Sequence, residues 1–192
     1  MTRILAAMAV AGLLSLGVPP VFAQSSMSGS NSMTQQNPSV GGAPMYAEKN
    51  IVQNAMNSPI NTTLVSLVKK AGLVQTLEGP GPYTVFAPTN KAFDKVPKST
   101  LSKVQSNDAM LKQVLEYHVV PGRLTTKDIQ AKIEAGGGKA ELKTVEGQPI
   151  TATMNGSQIE LSGAGGGTAM ITTADVAQSN GEIQVINGVL MP

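Results

Sequence analysis

Three consecutive glycines, Gly136–Gly138, separate two different hydrophobic periods, and this change constrains the fold more than any other feature of the chain. Before them the apolar residues recur as they do on helices. Leu64, Leu67, Val68 and Ala71 fall at i, i+3, i+4 and i+7 behind Asn61, which can cap the helix; Lys69 and Lys70 suit its last turn and Gly72 stops it. Leu111, Val114, Leu115 and His118 repeat the stripe after Asp108, and Pro121-Gly122 closes it. Thr125 and Asp128 form a capping pair for a helix that buries Ile129 and Ile133 and ends at the glycines. Shorter helices are predicted over Asn50–Met56, Lys91–Val96 and Leu101–Gln105. Beyond Gly138 the pattern alternates. Ile150, Ala152 and Met154 interleave with Thr151 and Thr153, Asn155-Gly156 suits a type I′ turn because both positions tolerate positive φ, and Ile159 and Leu161 alternate on the return. Further strands are predicted over Ala169–Thr173, Ile183–Ile186 and Val189–Met191, with one early strand, Tyr83–Phe86, emerging from Gly79-Pro80-Gly81-Pro82. Helices grouped early and strands grouped late specify an α+β fold rather than a parallel βαβ array.

The 192 residues divide into three parts. Residues 1–23 read as a secretory signal: Arg3 opens it, Ile4–Val18 is apolar, and Val21-Phe22-Ala23 offers a small-residue cleavage site. The apolar run is too short to span a bilayer and no later stretch approaches that length, so a secreted protein, periplasmic or extracellular, is expected. Residues 24–46 carry no charge and are rich in Ser, Gly, Asn and Gln, the composition of a flexible leader with order beginning near Tyr46. Residues 47–192 are enough for one domain with a substantial core, and a monomer is expected. Whole classes of chemistry drop out on composition. With no Cys there is no disulfide scaffold, thiol nucleophile or thiolate metal site, and one His leaves little acid–base or metal chemistry. Aromatic residues make up 3% and Trp is absent, so the stacking platforms of single-strand nucleic-acid binders are missing, and a formal charge of +2 is no polyanion signature.

The segment Tyr83-Thr84-Val85-Phe86-Ala87-Pro88-Thr89-Asn90-Lys91-Ala92-Phe93 reads as a strand-to-helix corner: Pro88 ends the strand, Thr89 or Asn90 caps the next helix, and Ala92 and Phe93 return apolar surface to the core. Together with Tyr117-His118-Val119-Val120-Pro121-Gly122 and the closing Gly181–Pro192 stretch that contains Asn187, this corner resembles the motifs of the fasciclin domain family, in order and spacing, from Asn50 to the last residue. The resemblance implies an α+β wedge in which two packed β-sheets are flanked by a helical layer. It implies adhesion or surface association rather than catalysis, and no cofactor. Asn90 stands where many relatives carry Asp, which keeps a capping oxygen while removing a charge, and the Gly163–Gly167 loop is longer than usual for the family.

The candidate site residues follow. His118, fourth in an apolar stripe, reads first as a buried structural histidine; in animal relatives the Tyr-His region is linked to integrin binding, so Tyr117 and His118 are also the candidate binding residues. Tyr117 either faces a partner or packs beside Met110 and Val114. Thr89, Asn90 and Asn187 are expected as structural motif residues. Residues 48–127 hold ten basic and five acidic groups and residues 128–192 three and seven, with Lys91, Lys95, Lys98 and Lys103 concentrating the positive part. Those lysines are either an ordinary solvated face or a contact for anionic surface polymer or lipid headgroups. The glycine-rich loop lacks the Gly-Lys-Ser/Thr ending of a phosphate cradle, which leaves a flexible loop; Met27, Met33 and Met45 are too widely spaced for a convincing Cu(I) site, so no metal is expected; and no Gly-x-Ser-x-Gly elbow presents a nucleophile to His118. The expected function is non-catalytic binding of a cell-surface or matrix component, protein or anionic polymer. The alternative is carriage of an apolar molecule such as a carotenoid, with Met56, Met110, Met154 and Met170 lining an adaptable pocket.

Overall fold

The computed structural model describes residues 37–192. The expected signal (1–23) and the first part of the expected leader lie outside them. The order of elements is α1 (Ile51–Asn57), α2 (Thr62–Lys70), α3 (Val74–Glu78), β1 (Tyr83–Pro88), α4 (Asn90–Asp94), α5 (Lys98–Ser106), α6 (Asp108–Tyr117), β2 (Val119–Pro121), α7 (Thr126–Ala135), then β3 (Lys139–Lys143), β4 (Pro149–Asn155), β5 (Gln158–Ser162), β6 (Thr168–Gln178) and β7 (Gly181–Ile186). The class is α+β. Local chemistry sets several boundaries: Asn50 and Gln53 close a capping box on α1, Thr125 and Asp128 close the expected one on α7, and Asn107 accepts from the Met110 amide to start α6. The hairpin between β4 and β5 forms, but its turn is Gly156-Ser157, one residue later than expected: Asn155 pairs with Gln158 in the ladder, and of the expected pair only Gly156 takes positive φ, 63°, so the type I′ turn on Asn155-Gly156 is not made.

The strands form one mixed seven-stranded sheet in the order β2-β1-β7-β6-β5-β4-β3, with β1 and β7 parallel and every other neighbour antiparallel. The two packed sheets of the sequence reading are two wings of this sheet that share β6. Register shifts between Ile171 and Val176 bend β6, and Asp175 sits within the bend at φ 55°. The sheet curls almost into a barrel, and beyond β3 the Val145 amide donates to Val119 O of β2 at 2.8 Å. Strands β1 and β7 are buried on both faces. Val85, Ala87, Ile183 and Val185 face a core filled by α1–α6, whereas Phe86 and Ile186 face a second core inside the barrel, covered by Ile129 and Ile133 of α7.

Several expectations fail for identifiable reasons. Val189–Met191 is not a strand; Val189 is buried in the helical core and Leu190 in the barrel core, with Met191 partly buried, and the segment enters no ladder. The helix expected to run to a stop at Pro121-Gly122 ends at Tyr117, and Val119–Pro121 pairs with Tyr83–Val85 as β2. The end of the expected flexible leader, residues 37–46, is anchored to the domain at three points: Val40 and Met45 are buried in the core, and the Asn37 side-chain amide donates to Ala177 O at 2.6 Å and accepts from Ala177 N at 3.0 Å. Their few apolar side chains find partners that composition does not show. Among the described residues no helix is long and apolar enough to cross a membrane.

Candidate functional site

The Tyr-His pair stands where α6 passes into β2. His118 is the helix C-cap, at φ −84° and ψ 0°, so its ring and that of Tyr117 enter different cores. His118 Nδ1 lies 2.7 Å from Val114 O and Nε2 lies 3.1 Å from the Leu190 amide. A carbonyl can only accept and an amide can only donate, so the ring is the neutral Nδ1–H tautomer. Burial pushes its pKa down to about 4, against a smaller upward pull from the Val114 bond. With both nitrogens engaged by backbone, the imidazole fixes the Val189–Met191 segment onto α6 and is not placed for acid–base chemistry. Tyr117 is fully buried in the barrel core; its hydroxyl donates to Pro149 O at 2.8 Å and accepts from the Ala164 amide at 2.9 Å. Both side chains of the pair are buried, and Tyr117 packs inside the barrel rather than beside Met110 and Val114. Both candidate binding residues therefore hold architecture.

The corner residues are staples as well. Thr89 caps α4, accepting from the Ala92 amide at 3.3 Å. Asn90 reaches back to α2: its Oδ1 accepts from the Thr63 amide at 3.0 Å, and its Nδ2 donates to Thr62 Oγ1 at 3.0 Å and Pro59 O at 3.2 Å. This is the cap the sequence assigned to Asn61, whose own amide turns inward to Pro88 O at 2.9 Å and Ser58 Oγ at 2.7 Å. A cap supplied from 27 residues away leaves no local signal. Asn187 extends the β6 pairing with its side chain, Oδ1 accepting from the Met170 amide at 2.9 Å, and its carbonyl accepts from Lys95 Nζ at 3.0 Å.

The remaining candidates sort by position. The glycine-rich loop is packed against the C-terminal segment: a Cβ on Gly163 would lie 2.5 Å from Met191 O, and one on Gly167 2.5 Å from Val189 O. Glycine is needed there for close approach, not flexibility. Met45 is buried, while Met27 and Met33 lie outside the described residues. Two small apolar cavities share Leu64, Leu115 and His118: one of about 40 Å³ between the helical layer and the sheet, where Val85, Ala87 and Ile183 line it, and one of about 20 Å³ among the helices and the C-terminal segment. None of the four methionines proposed for a carrier pocket lines them; Met56, Met110 and Met154 are exposed. Lys91 on α4, Lys95 at its C-cap, and Lys98 and Lys103 on α5 are exposed. The ion pairs among the described residues are Lys112–Glu116 at 3.7 Å and Arg123–Glu182 at 3.9 Å, so this lysine corner has no carboxylate partner.

Comparison with known proteins agrees with this architecture. A protein of Synechocystis sp., sll1483, is 34% identical over 192 residues, covering 99% of this chain and 96% of the relative. The cell surface glycolipoprotein MPB83 of Mycobacterium bovis is 31% identical over 163 residues, covering 82% of this chain and 67% of its own. Among solved structures, the FAS1 domain pair of the insect cell adhesion molecule fasciclin I matches in fold with a TM-score of 0.55 at 24% identity, over 67% of this chain; the chain spans 44% of that longer protein. The fasciclin domain model matches residues 60–192. That match carries the corner, the Tyr-His pair and the closing segment together, and the chain belongs to the fasciclin domain family.

Proposed function

We propose that this chain is a secreted, non-catalytic binding protein that associates with cell-surface or matrix material through the lysine corner of α4 and α5. The observation that carries the reading is the exposure of Lys91, Lys95, Lys98 and Lys103 without carboxylate partners, on a scaffold whose Tyr-His pair is internal. Four cations on two short consecutive helices attract an anionic polymer or headgroup layer over about one Debye length, 8–10 Å at ordinary ionic strength. Two relatives are named for related settings, one as a cell surface glycolipoprotein and the other as a cell adhesion molecule. The carrier alternative has less support. Ligand pockets hold roughly 300–1,000 Å³, whereas the two apolar cavities measure about 40 and 20 Å³.

The test is co-sedimentation of the purified protein with the producing organism's envelope fraction, from about 0.05 to about 0.5 M salt. Lys91→Gln, Lys98→Gln and Lys103→Gln are combined, leaving Lys95 to its bond with Asn187. At roughly 0.5 kcal/mol per lysine the triple variant binds about tenfold more weakly and its salt dependence flattens. Binding that ignores both salt and the triple substitution overturns the proposal, and a coloured organic extract of the purified protein revives the carrier.

A further inference from the structure

Where α7 begins, the interior of the barrel turns polar. Thr84 on β1 and Glu182 and Gln184 on β7 alternate with the apolar residues of the helical core, and all three are buried. Two of them are satisfied. Thr84 Oγ1 donates to Gly122 O at 2.7 Å and accepts from the Leu124 amide at 2.8 Å; Gln184 donates to Leu124 O at 3.1 Å and Asp175 Oδ1 at 3.0 Å and accepts from the Asp175 amide at 3.0 Å. Asp175, turned inward by the bend in β6, spends its carboxylate on Thr126, accepting from the amide at 2.7 Å and from Oγ1 at 2.5 Å. Glu182 is different. It is 3% exposed, yet among the described residues its carboxylate accepts no hydrogen bond; Arg123 Nη1 stops 3.9 Å away while Nη2 of the same guanidinium donates to Gln178 O at 2.8 Å. Burial, and then the negative charge of Asp175, push the Glu182 carboxyl above its ordinary pKa.

This carboxylate lines an open cleft of about 530 Å³ with Arg123, Thr125, Lys127, Asp175 and Asn37. Its oxygens open onto this cleft and are not sealed in the fold, and a carboxylate with no protein donor, beside a guanidinium anchored elsewhere, leaves a place for a donor brought by a ligand. The lining charges balance, with Arg123 and Lys127 against Asp175 and Glu182, which favours a guest of zero net charge. The exposed cations Arg123 and Lys127 suit an anionic group, and the buried acceptor suits a cationic donor. We propose that the cleft binds a free α-amino acid, its ammonium group donating to Glu182 and its carboxylate lying against Arg123 and Lys127. A divalent metal is a poor fit, since Asp175 is fully committed and no cluster of three His, Asp or Glu side chains among the described residues is placed to hold one. A bare amine leaves Lys127 without a counter-charge in the cleft, and a bare carboxylate leaves Glu182 without a hydrogen-bond donor.

The test is a carbon-13 NMR titration of the side-chain carboxyls of the purified protein, together with the amides of Thr125 and Lys127, against each common L-amino acid, with methylammonium and acetate as half-ligand controls. At least one amino acid gives a saturable shift of the Glu182 carboxyl, and both half-ligands bind about tenfold more weakly or worse. Glu182→Gln keeps the shape and removes the charge, and weakens binding about tenfold. The exposed Lys127→Ala weakens it about threefold with the melting temperature unchanged, and decides the matter should Glu182→Gln fail to fold. The proposal is overturned by the absence of any saturable response up to about 10 mM, by methylammonium binding as well as the amino acids, or by a folded Lys127→Ala or Glu182→Gln protein that binds like the parent.

Discussion

His118 is the chain's one histidine, and its burial makes stability depend on pH in a calculable way. The folded ring has a pKa of about 4 and the unfolded chain about 6.5, so between those values the unfolded state binds more protons and acid favours unfolding. The histidine costs nothing above pH 6.5 and progressively destabilises the protein as pH falls toward 4. At about 1.4 kcal/mol per pH unit between the two values, the loss is about 1 kcal/mol by pH 6, about 2 by pH 5 and about 3 at pH 4. Asp128, held low by its bonds to Thr125, adds a loss of the same sign at more acid pH, whereas Glu182, held high, works in the opposite direction. His118→Asn isolates the ring: the amide can still donate to Val114 O but cannot titrate, and leaving the Leu190 amide without its acceptor costs about 1–3 kcal/mol at every pH. Urea unfolding of both proteins at pH 4, 5, 6, 7 and 8, compared as a difference, should show the variant's deficit at pH 8 shrinking or reversing by pH 4. Parallel stability curves across that range mean that the ring is not held neutral between Val114 and Leu190, and the reasoning fails.

Tyr117→Phe removes the hydroxyl that serves Pro149 O and the Ala164 amide, so chemical denaturation should register a loss of about 1–3 kcal/mol while binding to envelope material stays at the parent level. A folded Tyr117→Phe protein with normal stability but lost binding would contradict the internal position. Gly163→Ala pushes a methyl group to 2.5 Å from Met191 O, and should cost about 1–3 kcal/mol. Hydrogen exchange should accelerate at the Gly165 amide, which donates to Met191 O at 3.0 Å; an unchanged melting temperature and unchanged exchange count against the close packing.

The elements legible in the sequence are those whose determinants are local. The stripes of α2 and α6, the Thr125–Asp128 box of α7 and the β4–β5 hairpin each need only neighbouring residues, and each forms, the hairpin with its turn one residue later than expected, at Gly156-Ser157. What escaped was built across the chain. Asn180, in the turn between β6 and β7, accepts from the Ile51 amide at 3.0 Å to help begin α1 and donates to Leu77 O at 2.8 Å and Gly79 O at 3.1 Å to finish α3. A five-residue helix ended from about a hundred residues away carries no signature of its own. The short strand β2 exists because Tyr83–Val85 is there to pair with it. The apolar Val189–Met191 segment was misread as a strand because burial and strand pairing leave the same mark on a sequence, and here only burial applies.

The same ambiguity hid the polar end of the barrel. In Gly181–Ile186, Ile183 and Val185 alternate with Glu182 and Gln184, the usual record of a strand with one wet face. Here β7 lies between β1 and β6, with a helical core on one face and the barrel interior on the other, so both faces are inside and the alternation separates the helical core from the polar end of an otherwise apolar barrel. Polarity inside a fold then has to be judged by completed hydrogen bonds. His118 passes that test on both nitrogens, and Gln184 on both ends of its amide, so each is a finished piece of architecture. Glu182 has its stem buried but its carboxylate opening onto a cleft, with no donor from the fold. The functional question therefore moves from the motif histidine to a carboxylate that the alternating pattern places on a solvent-facing side.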